Sequence, residues 1–199
     1  MLPLSLLPGS RRDLLARSLA LAAAGTLQAG LETGQARAAS LGRLVESAPR
    51  PVPDLAFTDA EGKPHGLADF AGRGLVINLW ATWCPPCVAE MPALDRAQAA
   101  LAAEGVVVLA LSSDRGGKAQ VEPFYREQGI RHLGLWLDPR GAAQRALGVR
   151  GLPTSLILDR EGRERARLEG AAEWDKPEML ANIRRLVGPA QERAEQERT

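Results

Sequence analysis

The chain is poor in the residues that build covalent or metal frameworks, with two cysteines and two histidines in 199 residues. Cys84 and Cys87 stand three apart, so a bridge between them would close a loop too short to restrain the unfolded chain much. That speaks against a structural staple. A closed zinc site needs four ligands, and neither His65 nor His132 stands at ligand spacing from the cysteines. Each histidine by itself reads as a surface or loop residue. An excess of one charge is also missing. Twenty-five basic against 24 acidic residues give a net charge of +1, which offers no footing for nucleic acid or an anionic membrane surface. What is present, 45% hydrophobic and 25% charged residues, is the composition of an ordinary soluble globular protein. The length suits one domain with appendages. There is no internal repeat, and no linker long enough to divide the chain.

The first 38 residues read as an export signal. "SRRDLLA" is a basic n-region, "RSLALAAAGTLQAGL" a mildly apolar h-region, and Ala36-Arg37-Ala38 an A-x-A site with cutting expected after Ala38. Ser10-Arg11-Arg12-Asp13-Leu14-Leu15 resembles the twin-arginine signal, and Arg17, Gly25, Thr26 and Gln28 keep the h-region weakly hydrophobic, as that route suits. An ordinary Sec signal with paired arginines is the alternative. So is a retained anchor in the inner membrane, although a span needs ~20 mostly apolar residues and this segment is short and interrupted. No cysteine follows the h-region to take a lipid there. Removal of residues 1–38 leaves a near-neutral chain, expected in the periplasm.

Residues 39–50 read as a polar lead-in, 51–188 as the folded domain and 189–199 as a polar tail. The turn signals Asp59–Gly62 and Gly72–Gly74 suit an N-terminal β-hairpin and a brief helix. "LVINLWA" (75–81) and "VVVLALSSD" (106–114) are apolar runs expected of strands buried on both faces. Between them Leu94, Ala97 and Leu101 recur at helical spacing up to a C-cap at Gly105, with Pro92 expected to kink or divide that helix. A helix over 118–129, a short strand at 132–139 and a short helix follow. Then come two strands around the turn Asp159–Gly162, and a last helix showing Met179, Leu180, Ile183, Leu186 and Val187 on one face. This β–α alternation implies an α/β domain whose central mixed sheet, parallel and then antiparallel, is flanked by helices. That is a thioredoxin-like architecture with a β–α insertion.

The strand at 75–81 feeds straight into Cys84, and a helix starts at once. Cys84 is thus expected at a helix N-terminus, where N–H groups and the helix dipole favour a thiolate. Cys87, one turn further in, would be shielded and would resolve a mixed disulfide. Pro85 and Pro86 fit a first helical turn. A C-x-x-C ahead of a helix in a βαβ setting is a redox signature.

"WCPPC", the "EMP" that follows, and "GVRGLPTSLILDREGR" together resemble the TlpA/ResA-type periplasmic thiol–disulfide oxidoreductases, close to the thioredoxins of cytochrome c biogenesis. The resemblance covers about residues 50–188. It implies a thioredoxin-like fold of the redoxin kind and a protein-disulfide reductase that needs no cofactor or metal. By the same resemblance Cys84 is the exposed nucleophile and Cys87 the resolving thiol. Pro153 follows a cis peptide bond, beside which Leu152 offers its backbone to a substrate strand. Trp83 covers the nucleophile as an apolar lid, while Trp80 belongs to the core. Glu90 sits near the cysteines and affects their titration. A partly buried carboxylate there would have a raised pKa and could exchange a proton with Cys87; a solvated place in the first helical turns is the other possibility. Asn78 stands where cytoplasmic thioredoxin has a buried aspartate, and an amide cannot accept that proton.

The resemblance further implies protein clients, such as the disulfide of apocytochrome c or the cysteines of copper metallochaperones, and a membrane electron donor of the DsbD or CcdA type. Two other classes fit the residues less well. A copper-delivery protein on this fold would show wider cysteine spacing and a late histidine, and none follows Gly148. A thiol peroxidase would need a Thr-x-x pattern before its cysteine, and Thr82 is one residue too close.

Overall fold

A computed structural model describes residues 42–138 and 140–190. The export signal read over residues 1–38 and the tail from residue 191 lie outside the described residues. The sheet among them has eight strands: β1 Leu44–Arg50, β2 Phe57–Thr58, β3 Pro64–His65, β4 Gly74–Trp80, β5 Val106–Ser112, β6 Trp136–Leu137, β7 Thr154–Leu158 and β8 Glu164–Glu169, in the order β1-β8-β7-β4-β5-β6-β2-β3. β4, β5 and β6 run parallel, whereas β7, β8 and β1 are antiparallel additions on one side and β2 and β3 on the other. The helices are α1 Pro85–Leu101, α2 Lys118–Gln128, α3 Ala142–Ala146 and α4 Pro177–Val187.

β4 is buried along its whole length, as its apolar run requires, and strand alternation divides its side chains between two cores. Val76 and Trp80 join the core built with Leu94, Ala97 and Leu101 of α1, Val121 and Tyr125 of α2, and Ile183, Leu186 and Val187 of α4. Leu75, Ile77 and Leu79 face the other core, with Leu109 and Leu111 of β5, Leu156 and Leu158 of β7 and Ala143 of α3. Burying one such aliphatic side chain contributes about 1.5–3 kcal/mol, so both faces hold β4 in register. Asn78 shares the face of Val76 and Trp80 and is therefore turned toward α1. At Gly74 the sheet meets α4 so closely that a Cβ would lie 2.6 Å from that of Val187; only glycine leaves room. Gly105 reverses the chain into β5 at φ 71, a left-handed conformation that glycine adopts without strain.

Four features differ from expectation. Leu44–Arg50, read as a lead-in, is an edge strand paired antiparallel with β8. Helix α1 is one helix across Pro92 and is not divided. The strand expected over 132–139 shrinks to Trp136–Leu137, because Asp95 Oδ1 accepts the amides of Arg131, His132 and Leu133 at 3.0, 2.6 and 3.0 Å and fixes that stretch as a loop. His65 is not a free surface residue. Its Nε2 lies 3.0 Å from Asp59 Oδ2 and its Nδ1 2.9 Å from Asp69 Oδ2, and these carboxylates, Asp59 first, raise its pKa above the ordinary value. The hairpin, the brief helix (a 3-10 turn, Leu67–Phe70) and the helical face of α4 lie where the sequence puts them.

Candidate active site

The site lies where β4 ends. Ligands of open α/β sheets gather at the carboxyl ends of parallel strands, and here Ala81–Trp83 leave the sheet and turn into α1, with the Cys84 amide donating to the Ala81 carbonyl at 3.1 Å. The turn is tied to the end of β5. Buried Asp114 accepts from the Thr82 amide at 2.9 Å and from the Thr82 hydroxyl at 2.7 Å, and its second oxygen also takes the Ser112 hydroxyl at 2.8 Å. Gln120 Nε2 of α2 donates to Asp114 Oδ1 at 2.7 Å and to Thr82 Oγ1 at 2.8 Å. These bonds fix the backbone that carries Cys84.

Cys84 is the N-cap of α1 and is joined to Cys87 by a disulfide with an S–S distance of 2.06 Å. In this oxidised state Cys84 keeps 4% of its surface and Cys87 none, so the nucleophile expected to be exposed is only the less buried of the pair. Pro85 and Pro86 have no N–H. The first amide hydrogen of the helix is therefore that of Cys87, at the third helical position, where an N-cap side chain finds its donor. When the bridge opens, a Cys84 thiolate has that donor and the helix dipole to stabilise it.

Glu90 is one turn beyond Cys87. Residues three apart on a helix share a face, and Glu90, 3% exposed, points into the same core. Its carboxylate is bound on both oxygens: Oε1 accepts from Asn78 Nδ2 at 2.8 Å, and Oε2 accepts from the Ala172 amide and from Trp174 Nε1, each at 2.8 Å. Asn78 Nδ2 also donates to Ser155 Oγ at 2.9 Å, because Ser155 is the residue opposite Asn78 in the β4–β7 register. Burial raises the Glu90 pKa to about 7 against the opposing pull of its donors, Trp174 first. The solvated alternative for Glu90 is thereby set aside. Asn78 Oδ1, buried beside these donors, has no hydrogen-bond partner among the described residues.

Thr154 pairs with Leu79, next to the last residue of β4, which brings Leu152 and Pro153 to the sheet end that carries the cysteines. The Leu152–Pro153 bond is cis. The Pro153 carbonyl is taken by the Gly170 amide at 2.9 Å, whereas no hydrogen bond among the described residues engages the Leu152 backbone. A groove of about 450 Å³ runs past Arg150, Leu152, Pro153, Thr154 and Glu169. Trp80 is core, packed on Phe124 and Tyr125. Trp83 is 65% exposed. The direction of the turn explains this, since Thr82 is drawn inward by Asp114 and its neighbour is left facing out. Sequence reasoning did not single out Ser155, Asp114, Ala172 or Trp174. Ser155 needs the strand register to be found, and the other three need the fold.

Comparison with known proteins agrees with this geometry. The Redoxin family profile matches residues 47–183. The chain belongs to the Redoxin family. Among its relatives, the thiol-disulfide oxidoreductase ResA of Bacillus thuringiensis subsp. konkukian is 33% identical over 136 residues, covering 68% of this chain and 76% of that protein. ResA of Geobacillus thermodenitrificans is 33% identical over 119 residues, covering 60% and 67%. A Chlorobium tepidum structure assigned as thiol:disulfide interchange protein DsbE superposes with a TM-score of 0.63 at 28% identity, over 72% of this chain and all of that one. This redoxin is a thiol–disulfide oxidoreductase of the thioredoxin fold, and its dithiol is Cys84 and Cys87. No helix among the described residues is long and apolar enough to cross a membrane.

A carboxyl that keeps its proton to about pH 7 in the fold, against 4.5 in a free chain, makes the folded state bind more protons than the unfolded state between those values. From this group, stability is greatest below pH 4.5 and falls as pH rises toward 7, by about 3 kcal/mol in all. Urea unfolding of the wild type and of Glu90→Gln across pH 4–8 measures it. The wild type should lose about that much relative to the variant over the window; a pH-independent difference between the two would contradict the assignment.

Proposed function

We propose that this redoxin is a periplasmic reductase of selected protein disulfides, with Cys84 as nucleophile, Cys87 as resolving thiol and Glu90 as proton partner. The observation that carries the reading is the buried Glu90 carboxyl, poised near neutrality one helical turn from the shielded Cys87. In the reduced protein the Cys84 thiolate attacks one sulfur of a client disulfide, forming a mixed disulfide and expelling a client thiolate, which takes a proton. Glu90 then accepts the Cys87 proton, and the Cys87 thiolate attacks Cys84 Sγ. The Cys84–Cys87 bond forms and the second client thiolate leaves. Two electrons have moved from the dithiol to the client, and the oxidised state with its 2.06 Å bridge is the product. A client segment would lie in the groove beside cis-Pro153, pairing with the Leu152 backbone and contacting Trp83.

Direction rests on chemistry between the thiols. A dithiol oxidises others strongly when its reduced form is stabilised. Pro85 and Pro86 put no histidine or cationic side chain between the sulfurs, which favours a reductant. Such a protein needs a dithiol electron donor at the membrane, of the DsbD or CcdA type, and its clients would be apocytochrome c or cysteines of copper metallochaperones. The twin-arginine-like signal supports the compartment.

Equilibration of residues 39–199 with dithiothreitol should give a potential nearer to about −270 mV than to about −120 mV; a value at the oxidising end would contradict the reductase reading. In the same preparation Cys87→Ser should accumulate mixed disulfides through Cys84, and Glu90→Gln should slow client release about 100-fold. If Cys87→Ser traps no protein while the wild type binds Cu(I) tightly, copper delivery replaces this reading. For export, Arg11→Lys with Arg12→Lys should retain the precursor in the cytoplasm; unchanged export through Sec would contradict the twin-arginine route.

A further inference from the structure

Apart from the cis-proline groove, an open cleft of about 830 Å³ is lined by Trp83, Ser113, Arg115, Gln120, Arg140, Gln144 and Arg145. Its charged lining residues are all arginines, and all three are exposed. Among the described residues none of the three guanidinium groups has a carboxylate within ion-pair distance. Elsewhere on the surface Arg50, Arg96, Arg163, Arg184 and Arg185 are paired, while Arg43, Arg73, Arg126, Arg131 and Arg150 are exposed without an ion pair among the described residues. What marks the cleft is that three such cations line one hollow. Arg145 is held in place by its own backbone neighbour, with Nη1 donating to the Arg140 carbonyl at 2.5 Å. The carboxylates nearest in the chain face inward: Asp114 takes Thr82, Ser112 and Gln120, and Asp138 takes the amides of Ala142 and Gln144 at 2.7 and 3.2 Å. Asp138 also attracts Arg145 electrostatically, so the cleft presents three guanidinium groups, none in a direct ion pair, on a floor of amide and hydroxyl groups, next to an exposed indole one residue from Cys84.

We infer that this cleft docks an acidic segment of the client polypeptide, close in sequence to the cysteine that Cys84 attacks. The inference rests on the protein-disulfide reductase reading. A client joined to Cys84 reaches about 3.3–3.6 Å further with each extended residue, so carboxylates a few residues from its cysteine fall within the arginine fork. Guanidinium groups bind carboxylates in pairs of parallel hydrogen bonds, and Trp83 supplies an apolar platform that also attracts an arginine face or a peptide side chain. Three cations set apart around one indole fit a chain with several carboxylates better than a single small anion. Complementary charge of this kind chooses among partners and speeds their encounter more than it adds affinity.

The test measures docking apart from chemistry. Fluorescence anisotropy of the oxidised protein is recorded with a labelled, cysteine-free 12-residue peptide carrying four Glu, and with its four-Gln counterpart. The acidic peptide should bind about tenfold more tightly at low salt, and the preference should vanish near 1 M salt, where screening reaches about 3 Å. It should also vanish in Arg115→Ser/Arg140→Ser/Arg145→Ser and persist largely in the matching triple Lys variant, which keeps the charge. No preference in the wild type, or one that survives in the Ser variant, overturns the inference. Displacement of the peptide by free glutamate or phosphate at equal affinity overturns it too, in favour of a small-anion site. Exchange of the reduced wild type with the neutral hydroxyethyl disulfide checks the reductase reading separately: if that fails while acidic-peptide preference stands, the reductase reading falls and the docking site remains.

Discussion

A carboxyl group withdrawn from water and held by three donors organises this site. Glu90 sits on α1, yet its donors come from β4 through Asn78 and from the segment after β8 through Ala172 and Trp174. Desolvation disfavours the carboxylate, whereas each donor favours it, and desolvation outweighs the donors, which lifts the group's pKa to about 7. Cys87, sealed in the same core, can ionise only if some neighbour takes its proton. The helix places Glu90 on the same face, one turn away, so the balance that costs the fold stability also sets a titrating carboxyl near the thiol proposed to resolve the mixed disulfide. Asn78 extends the balance to β7 through Ser155, and therefore to the strand that begins at cis-Pro153.

The proposed nucleophile, Cys84, depends on a second constraint, the cap of α1. Two prolines at the first helical positions remove two amide hydrogens, so the dipole of the helix end and the Cys87 amide are what a Cys84 thiolate is offered. The Asp114 cluster keeps the preceding turn from moving, and it turns Trp83 outward by holding Thr82 inward. Between them, these arrangements leave one sulfur near the surface and hide the other. In the exchange proposed above, that asymmetry sets the order of attack and resolution.

What could be read from sequence was local or repeated. The runs 75–81 and 106–114 gave buried strands because apolar continuity has one economical explanation in an α/β chain, and the cysteine pair declared its chemistry by its spacing together with the strand before it and the helix after it. Leu44–Arg50 escaped because an exposed edge strand has no apolar pattern of its own and takes its register from β8. Pro92 suggested a break, but the residues after it pack on the sheet and hold the helix together across the missing hydrogen bond. The outward direction of Trp83 follows from a hydrogen bond between residues 32 apart in sequence, which no local pattern shows. The environment of Glu90 was out of reach for the same reason: two of its donors are 82 and 84 residues away.

The central claim is that Glu90 is buried and titrates near neutrality beside the dithiol. A 13C NMR titration of the oxidised protein labelled at glutamate carboxyl carbons, with the Glu90 signal assigned by its loss in Glu90→Gln, measures that group directly. The account predicts a midpoint near pH 7. A midpoint in the ordinary range of about 4.3 would contradict it.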